Sequence, residues 1–331
     1  MRIVAGIIGC GLIGKKRYKY LKDKSTIRAV CDSDILKAHE IAKNNKKIKV
    51  FDDWKKIINS DEINTIFICT THNFLSKILV EAIKKNKHVL VEKPASISEN
   101  ELKKAILMSI KKKIVIKVGY NHRHHESIKE SLKLIKRNKI GNLMFIKTSY
   151  GHGGRIGYEK EWRMNKKISG GGELLDQGSH LIDLSMMFLG KVISHKSKLT
   201  TSFWKTDVDD NAFLILEFNK QKVSFIHASC TEWKNNFTFE IYGKSGKIKI
   251  EGKGGSYGFE KVTLFKMMKK MGKPKVTKIK ISKTEQSWRA ETDIFFNDII
   301  KKKYSNKELI RSLEILKLIN KIYRNNKYDY I

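Results

Sequence analysis

A run of ionisable side chains follows three consecutive glycines near the middle of the chain. Asp176, His180 and Asp183 occur at i, i+4 and i+7, directly after the glycines at 170–172. This spacing places the three side chains within an arc of roughly 60° on one helix face. Glu173 lies beside the same stripe, and most neighbouring positions are apolar. The pattern predicts a helix that is buried on nearly every side.

Such a stripe has two interpretations. Unpaired buried charge is costly, so the carboxylates and the imidazole could form a structural network in which they satisfy one another. Alternatively, the stripe and the glycines form one wall of an active site, because glycine lets a ligand approach the backbone closely. Three ionisable groups behind three glycines favour the active-site interpretation.

The amino-terminal segment has the pattern of a dinucleotide-binding turn. An apolar run at residues 3–8 precedes G-x-G-x-x-G at residues 9–14, and a helix-compatible stretch comes next at residues 15–21. Glycines in this context allow a tight turn and bring the backbone and a helix N-terminus against a pyrophosphate. The residues predicted to bind the cofactor here are Gly9, Gly11, Leu12, Ile13 and Gly14.

An acidic residue at the end of the second apolar run indicates which dinucleotide binds. Asp32 follows residues 27–31, about 20 residues after the glycine turn, where a carboxylate accepts the ribose hydroxyls of NAD and repels a 2′-phosphate. We therefore predict NAD as the cofactor. Ser33 and Lys37 keep NADP open as an alternative.

Strand-like and helix-like segments continue to alternate after Asp32. Apolar runs at residues 64–69, 88–91 and 114–118, with a helical pattern at residues 74–86, predict a doubly wound parallel sheet. Ligands of such sheets lie outside the carboxyl ends of the strands. Further cofactor contacts are predicted at the ends of two of these strands: Thr70, Thr71, Asn73, Glu92 and Lys93.

Taken together, these motifs resemble the glucose–fructose oxidoreductase, inositol dehydrogenase and rhizopine-catabolism family (Gfo/Idh/MocA). The resemblance rests on the glycine turn, on Glu92-Lys93-Pro94, on residues 119–123 and on the glycines at 170–172 with the stripe after them. It implies a Rossmann domain at residues 1–120 and a C-terminal α/β domain at residues 121–331. The second domain is expected to contain a large, mostly antiparallel open sheet, with the C-terminal helix able to pack back on the first domain.

The resemblance also implies the chemistry. It implies hydride transfer between a nicotinamide and a carbinol carbon of a sugar, cyclitol or similar polyol. Lys93 matches the lysine that contacts the reacting hydroxyl and the nicotinamide, His180 the proton-transfer residue, and Asp176 its partner and substrate ligand. An imidazole with a pKa near neutrality suits proton exchange, and a neighbouring carboxylate would stabilise its charged form.

Substrate contacts are expected at the catalytic residues and on the segments around them. Arg155, Trp162 and Arg163 could equally be loop anchors. The sequence also departs from the family at Thr71, where proline is usual, and at residues 124–126, where an aromatic residue and a proline are usual. The predicted substrate-binding residues are Lys93, Tyr120, Asn121, Arg123, Arg155, Trp162, Arg163, Asp176 and His180.

The second half of the chain contains patterns of a different sheet. Residues 143–150 are expected to form its first strand, and alternating runs between residues 209 and 250 indicate adjacent antiparallel strands. Residues 252–284 are lysine-rich and give little pattern, whereas residues 288–323 are helical in character. A wide sheet with one free face commonly pairs with its copy, so we expect a homodimer or homotetramer.

Composition limits the partners. The 331 residues include 68 Lys and Arg against 34 Asp and Glu, a formal net charge of +34. Such a charge alone is typical of nucleic-acid binding, but only ten of these residues are Arg and no Arg-rich cluster with interleaved aromatic residues occurs. We therefore expect no nucleic-acid partner. A basic surface would instead steer an anionic sugar towards the site.

Neither a metal nor a membrane is indicated. The histidines at 122, 124, 125 and 152 have no Cys or carboxylate in metal-ligand spacing, so no metal is predicted. The four cysteines form no C-x-x-C pair and suit a reducing cytosol. No apolar run reaches membrane-spanning length, so the sequence predicts a cytoplasmic protein without a membrane partner.

These observations predict an NAD-dependent oxidoreductase that acts on a sugar or nucleotide-activated sugar, in the synthesis of a surface-polysaccharide sugar. One alternative is a cyclitol or free-sugar dehydrogenase. An alternative of another class is a non-catalytic sensor that binds the cofactor as a signal. Lys93, Asp176 and His180 argue against the sensor, because a sensor needs no proton-transfer set.

Overall fold

The computed structural model describes residues 2–282 and 284–328. Its strands are β1 Val4–Ile8, β2 Thr26–Cys31, β3 Lys49–Phe51, β4 Thr65–Ile68, β5 His88–Val91, β6 Ile116–Val118, β7 Leu143–Gly151, β8 Val192–Thr200, β9 Asn211–Phe218, β10 Lys222–Ser229, β11 Asn236–Gly243, β12 Gly246–Glu251, β13 Lys261–Lys266 and β14 Lys275–Ile279. Its α-helices are α1 Leu12–Leu21, α2 Ile35–Ala42, α3 Trp54–Ile58, α4 His72–Lys84, α5 Glu99–Ser109, α6 Glu126–Lys136, α7 Lys166–Ser169, α8 Ser179–Leu189, α9 Ser287–Ile300 and α10 Lys307–Asn325. Short 3₁₀ turns occur at Asn121–His124, Tyr158–Lys160, Trp162–Met164 and Gly255–Tyr257, and a π-helical turn occurs at Leu174–Gly178.

The first sheet has six strands in the order β3-β2-β1-β4-β5-β6, and every pairing in it is parallel. Strands β4 and β5 are buried at every position, as expected of a parallel sheet covered by helices on both faces. The predicted Rossmann sheet is therefore confirmed. Strand β3 and helices α2 and α3 were not predicted from the sequence, because each is too short to show a clear hydrophobic period.

The second sheet has eight strands in the order β14-β13-β12-β11-β7-β10-β9-β8. All of its pairings are antiparallel except that of β7 with β10. Strand β9 alternates between buried and exposed residues along most of its length, which is the pattern of a sheet with one covered face. The prediction of a large, mostly antiparallel sheet is confirmed, and the lysine-rich stretch supplies the last two strands at one edge, β13 and β14.

The C-terminal helix α10 connects elements of both parts of the molecule. The Ser312 hydroxyl donates to the carbonyl of Pro94 at 2.6 Å, and the Asn320 amide donates to Glu99 at 2.8 Å. The same helix also packs against α8.

A domain boundary between residues 120 and 121 stays a prediction. Met1, Lys283 and residues 329–331 of the two proposed ranges lie outside the described residues.

A buried arginine ties the glycine turn to the last part of the chain. Arg17, on α1, is fully buried and forms ion pairs with Glu92 and Glu291, each at 2.6 Å. Its guanidinium also lies 4.5 Å from the centroid of the Trp288 ring. Because a buried charge needs such partners, this cluster fixes α1, the end of β5 and α9 relative to one another.

No helix in residues 2–282 and 284–328 is long and apolar enough to cross a lipid bilayer.

Candidate active site

A cavity of about 1070 Å³ lies at the carboxyl-end edge of the first sheet. Its walls include the residues that directly follow β1, β2, β4 and β5, and the opposite wall is built from the π-helical turn and from loops of the second sheet. Its volume is at the upper end of the range of about 300–1000 Å³ found for small-molecule pockets. A dinucleotide and a second small molecule can therefore be accommodated side by side.

The glycine turn has the geometry that a dinucleotide requires. Gly9 has a φ of +94°, and a Cβ added there would lie 2.5 Å from the backbone of Cys69. A Cβ at Gly14 would lie 2.0 Å from the carbonyl oxygen of Gly9, so this glycine permits close packing of α1 on the turn. A Cβ at Gly11 would have no described atom within 4 Å. That open space in front of the helix N-terminus fits a pyrophosphate.

Asp32 lies along the cavity at the end of β2. One oxygen of its carboxylate accepts a hydrogen bond from the Cys10 backbone N–H at 2.7 Å, and the other accepts one from the Asp34 N–H at 2.9 Å. Each carboxylate oxygen can accept more than one hydrogen bond. The side chain is thus held in place with capacity left for the two ribose hydroxyls, and these residues fit NAD.

Replacing Asp32 with alanine is expected to weaken NAD⁺ binding by about 10- to 100-fold, because hydrogen bonds to a charged acceptor are lost. The affinity for NADP⁺ should change much less, since its 2′-phosphate cannot donate to the carboxylate. Titration of both cofactors by tryptophan fluorescence measures the two affinities. Asp61→Ala, which removes an exposed carboxylate, is the control, and equal losses for NAD⁺ and NADP⁺ in Asp32→Ala would contradict the assignment.

Three charged side chains meet at the floor of the cavity. The Lys93 ammonium forms an ion pair with one oxygen of Asp176 and donates to the Asp176 backbone carbonyl at 2.8 Å. Arg163 Nε donates to the other carboxylate oxygen at 3.1 Å. Burial would raise the pKa of Asp176, but the charges of Lys93 and Arg163 hold that pKa well below its usual value. Asp176 is therefore a carboxylate that fixes the two cations.

His180 lies beside this cluster in an aromatic environment. Its ring stacks on that of His122, with centroids 3.9 Å apart, and is nearly perpendicular to that of Tyr120, with centroids 5.9 Å apart. Among the described residues, none forms a hydrogen bond with its buried Nδ1. Burial and the positive charges of Lys93 and Lys253 lower the pKa of His180 well below its usual value.

This environment differs from the predicted one in two respects. We expected a ring with a pKa near neutrality that is paired with Asp176, whereas Asp176 is occupied by Lys93 and Arg163. The carboxylate raises the pKa of His180 through space, but burial and the nearby cations have the larger effect. The neutral ring is therefore the stable form in this site.

The predicted stripe of three ionisable groups on one helix face is wrong in its detail. A π-helical turn at Leu174–Gly178 precedes α8, so Asp176 and His180 do not follow the regular spacing of a single α-helix. Asp183 is buried away from the cavity and forms a two-fold ion pair with Arg123, at 2.5 and 2.6 Å. Asp176 and His180 thus line the cavity, whereas Asp183 belongs to a structural ion pair.

Most of the predicted site residues line the same cavity. These are Gly9, Gly11, Leu12, Ile13, Asp32, Thr70, Thr71, Glu92, Lys93, Asn121, Arg155, Trp162, Arg163, Asp176 and His180. Arg155 is exposed and is paired with Glu161 at 2.5 Å. The Asn121 amide donates to the hydroxyl of Ser287 at 2.9 Å.

Four predicted residues lie outside the lining of the cavity. Gly14 packs beneath the turn, and Asn73 accepts a hydrogen bond from the hydroxyl of Thr71 at 2.7 Å. Tyr120 is buried beneath the guanidinium of Arg123, which lies 5.1 Å from its ring centroid. The predicted substrate contacts of Tyr120 and Arg123 are not supported by these positions, since Tyr120 packs edge-on against His180 and Arg123 is paired with the buried Asp183.

Several cavity residues were not identified from the sequence. The Nδ1–H of His72 donates to the carbonyl of Ser169 at 2.8 Å, and the ring lies edge-on to that of Trp162, with centroids 4.9 Å apart. Burial and the nearby Lys93 lower the pKa of His72 to about 4. Its place directly after Thr71 was a usable signal. Lys253 gave no comparable signal, because it lies in the lysine-rich stretch.

Comparison with known proteins agrees with this geometry. Residues 3–120 match the model of the oxidoreductase family with an NAD-binding Rossmann fold, and residues 128–249 match the model of the GFO/IDH/MocA C-terminal domain. The chain therefore belongs to the Gfo/Idh/MocA family of oxidoreductases, and the predicted NAD-binding domain is confirmed.

Relatives in this family act on sugars. Levoglucosan dehydrogenase of Pseudarthrobacter phenanthrenivorans is 26% identical over 59% of this chain and 57% of that protein. Glucose-6-phosphate 3-dehydrogenase of Bacillus subtilis is 29% identical over 74% of this chain and 73% of that protein. A solved structure of levoglucosan dehydrogenase in complex with NADH covers 99% of this chain and 97% of that chain, with a TM-score of 0.87 and 19% identity, and shows the same fold.

Proposed function

We propose that this protein transfers hydride between a nicotinamide and a secondary alcohol or ketone carbon of a sugar. The observation that carries the proposal is a single cavity that joins the glycine turn and Asp32 to Lys93 and His180. A nicotinamide bound there supplies the hydride acceptor for oxidation or the donor for reduction. The dinucleotide-binding turn and the proposed proton-transfer residues thus line one cavity, so the cofactor and these residues can act on the same substrate.

The protein residues handle the proton and the charge on oxygen. In oxidation, the neutral ring of His180 accepts the hydroxyl proton as hydride leaves the carbon, and in reduction the charged ring returns a proton to the oxygen. The Lys93 ammonium stabilises negative charge that develops on that oxygen. Asp176 holds the ammonium in position through its carboxylate and its backbone carbonyl.

More specifically, we propose that the substrate is a nucleotide-activated or otherwise anionic sugar. The reaction would take place in the cytoplasm, as a step in the synthesis of a surface-polysaccharide sugar. The strongly basic composition supports an anionic substrate, and the cysteines, which are free thiols, support a reducing compartment. The alternative substrates are cyclitols and free sugars. The alternative function is that of a sensor, which would bind the cofactor without turnover.

A substrate screen tests this proposal. The protein is incubated with NAD⁺ and with nucleotide sugars, sugar phosphates, free sugars, levoglucosan or myo-inositol, and NADH formation is followed by absorbance. We expect turnover with at least one sugar. Tight NADH binding without turnover in either direction on any of these compounds would favour the sensor.

The open face of the second sheet supports the expected homo-oligomer. Strands β7, β9 and β10 present Phe145, Phe213, Ile215 and Phe225, each 38–41% exposed, and Tyr242 of β11 stacks on Phe145 at 4.1 Å. A contiguous apolar patch of this kind marks an interaction surface. We propose that a second copy of the chain covers it, because a face that packs on itself generates a closed dimer.

Replacing Phe225 with glutamate is expected to convert the oligomer into monomer, since two or more charges would be buried at the interface. Size-exclusion chromatography with light scattering measures the mass. Leu107→Glu introduces the same charge at an exposed position of α5 and should leave the mass unchanged. An unchanged oligomer in Phe225→Glu would place the interface elsewhere.

A further inference from the structure

Among the described residues, the partners of one lysine of the cavity are aromatic rings. Lys253 follows β12, and its ammonium lies 4.3 Å from the ring centroid of Tyr257 and 4.9 Å from that of Tyr150. Tyr150 in turn packs against His122 and His180, with ring centroids 5.1 and 6.3 Å away. The rings fix the ammonium on the same side of the cavity as His180.

Three other cations of the cavity have carboxylate partners. Lys93 and Arg163 share Asp176, and Arg155 is paired with Glu161. Lys253 forms no salt bridge with any carboxylate in residues 2–282 and 284–328. Among the described residues, Lys253 therefore lacks the carboxylate partner that Lys93, Arg163 and Arg155 have.

The surroundings of Lys253 disfavour its own charge. Burial and the nearby ammonium group of Lys16 lower the pKa of Lys253 to about 7, with a further contribution from Lys93. The charges of Glu285 and Glu260 oppose this effect and raise the pKa of Lys253. An anion placed beside the ammonium would stabilise the protonated form.

We propose that Lys253 binds an anionic group of the substrate, a phosphate or a carboxylate, beside the reacting carbon. The inference rests on the proposed function and makes it specific, because it selects charged sugars over neutral ones. Tyr150 and Tyr257 orient the ammonium through their ring faces. Lys253 is therefore a specificity-determining residue, distinct from the proton-transfer set.

The source of the anion is the substrate rather than the pyrophosphate of the cofactor. The glycine turn offers its own site for the pyrophosphate in front of Gly11, where the cavity is open. Lys253 instead belongs to the wall that carries Tyr150 and His180. A loss of cofactor affinity on removal of Lys253 would therefore argue against this assignment.

The first arm of the test compares matched sugars in turnover. kcat/KM is measured for glucose 6-phosphate and glucuronate against glucose in the parent, Lys253→Met and Lys253→Arg. We expect the parent to favour a charged sugar, Lys253→Met to lower the ratio of kcat/KM for that sugar to kcat/KM for glucose by about 10- to 100-fold, and Lys253→Arg to retain the preference. Lys261→Met, which removes an exposed charge on β13, is the control. A preference that survives in Lys253→Met, or a parent that favours glucose, would overturn the inference.

The second arm measures binding without turnover. Inorganic phosphate is titrated into the NADH-loaded protein and followed by NADH fluorescence, with the NADH affinity determined first. We expect NADH to bind equally to the parent and Lys253→Met, and phosphate to bind at least about tenfold more weakly to the variant. Equal phosphate binding in both proteins, or a selective loss of NADH affinity, would overturn the inference. Lysine-dependent phosphate binding without turnover of any sugar would leave the anion site standing and refute the proposed function.

Discussion

Replacing His180 with alanine is expected to leave NADH binding intact and to lower kcat by about 10²–10⁴-fold, the usual contribution of a positioned acid–base group. The ring lies on the cavity wall beside Lys93, and its surroundings favour the neutral form that accepts a proton from an alcohol. The methyl group of alanine cannot replace that function. Stacking on His122 shows that the ring is also held in one orientation.

The test needs a cofactor affinity and a rate on the same variant. NADH binding is measured by fluorescence, and kcat is measured on the substrate found in the screen. His195→Ala removes an imidazole on β8, outside the lining of the cavity, and should retain nearly parental turnover. If His180→Ala binds NADH normally and turns over at the parental rate, His180 has only a packing role.

The fold was predictable where the pattern is local. Strands β1, β4 and β5 are short apolar runs bounded by polar residues, and the glycine turn fixes the start of α1 directly after β1. Strand β3 has only three residues and helix α3 only five, so neither is long enough to show a period. Strand β14 is exposed along most of its length, and its sequence therefore shows none of the alternation that identified β9.

The site was predictable as a set of residues, whereas their pairing was not. Lys93 and Asp176 are 83 residues apart, and Arg123 and Asp183 are 60 residues apart. The helical spacing placed Asp176 and His180 on one face, and the family resemblance implied that they are partners. In the structure, a π-helical turn interrupts that spacing, and Asp176 is paired with Lys93 and Arg163. Charge partners across a fold depend on which strand ends meet, and spacing along one segment does not contain that information.

The proposed role of His180 predicts that the charges around this ring set the pH dependence of catalysis. In the proposed mechanism oxidation requires the neutral ring, so the rate is expected to fall as the pH drops through the pKa of His180. Because burial, Lys93 and Lys253 lower that pKa, the acid limb of the profile should lie well below pH ~6.5, the ordinary value for an imidazole. Reduction uses the protonated ring and should instead gain rate towards acid.

Lys93→Met and Asp176→Asn are expected to move this limb in opposite directions. Lys93 lowers the pKa of His180, so its removal raises that pKa and shifts the acid limb to higher pH, while kcat falls by about 10²–10³-fold because the charge beside the reacting oxygen is lost. Asp176 raises the pKa of His180, so asparagine shifts the limb to lower pH. Both signs are fixed by the charge that each residue places near the imidazole.

The measurement is a pH–rate profile of kcat/KM for oxidation on the parent and both variants. Lys104→Met, which removes an exposed lysine of α5, serves as the matched control and should reproduce the parental profile. A purely structural role for the ion pair predicts loss of rate in both variants with no movement of the limb. Opposite shifts require that His180 titrates in the reaction and that Lys93 and Asp176 set its pKa. Parallel shifts, or a fixed limb, would remove His180 from the proton-transfer step.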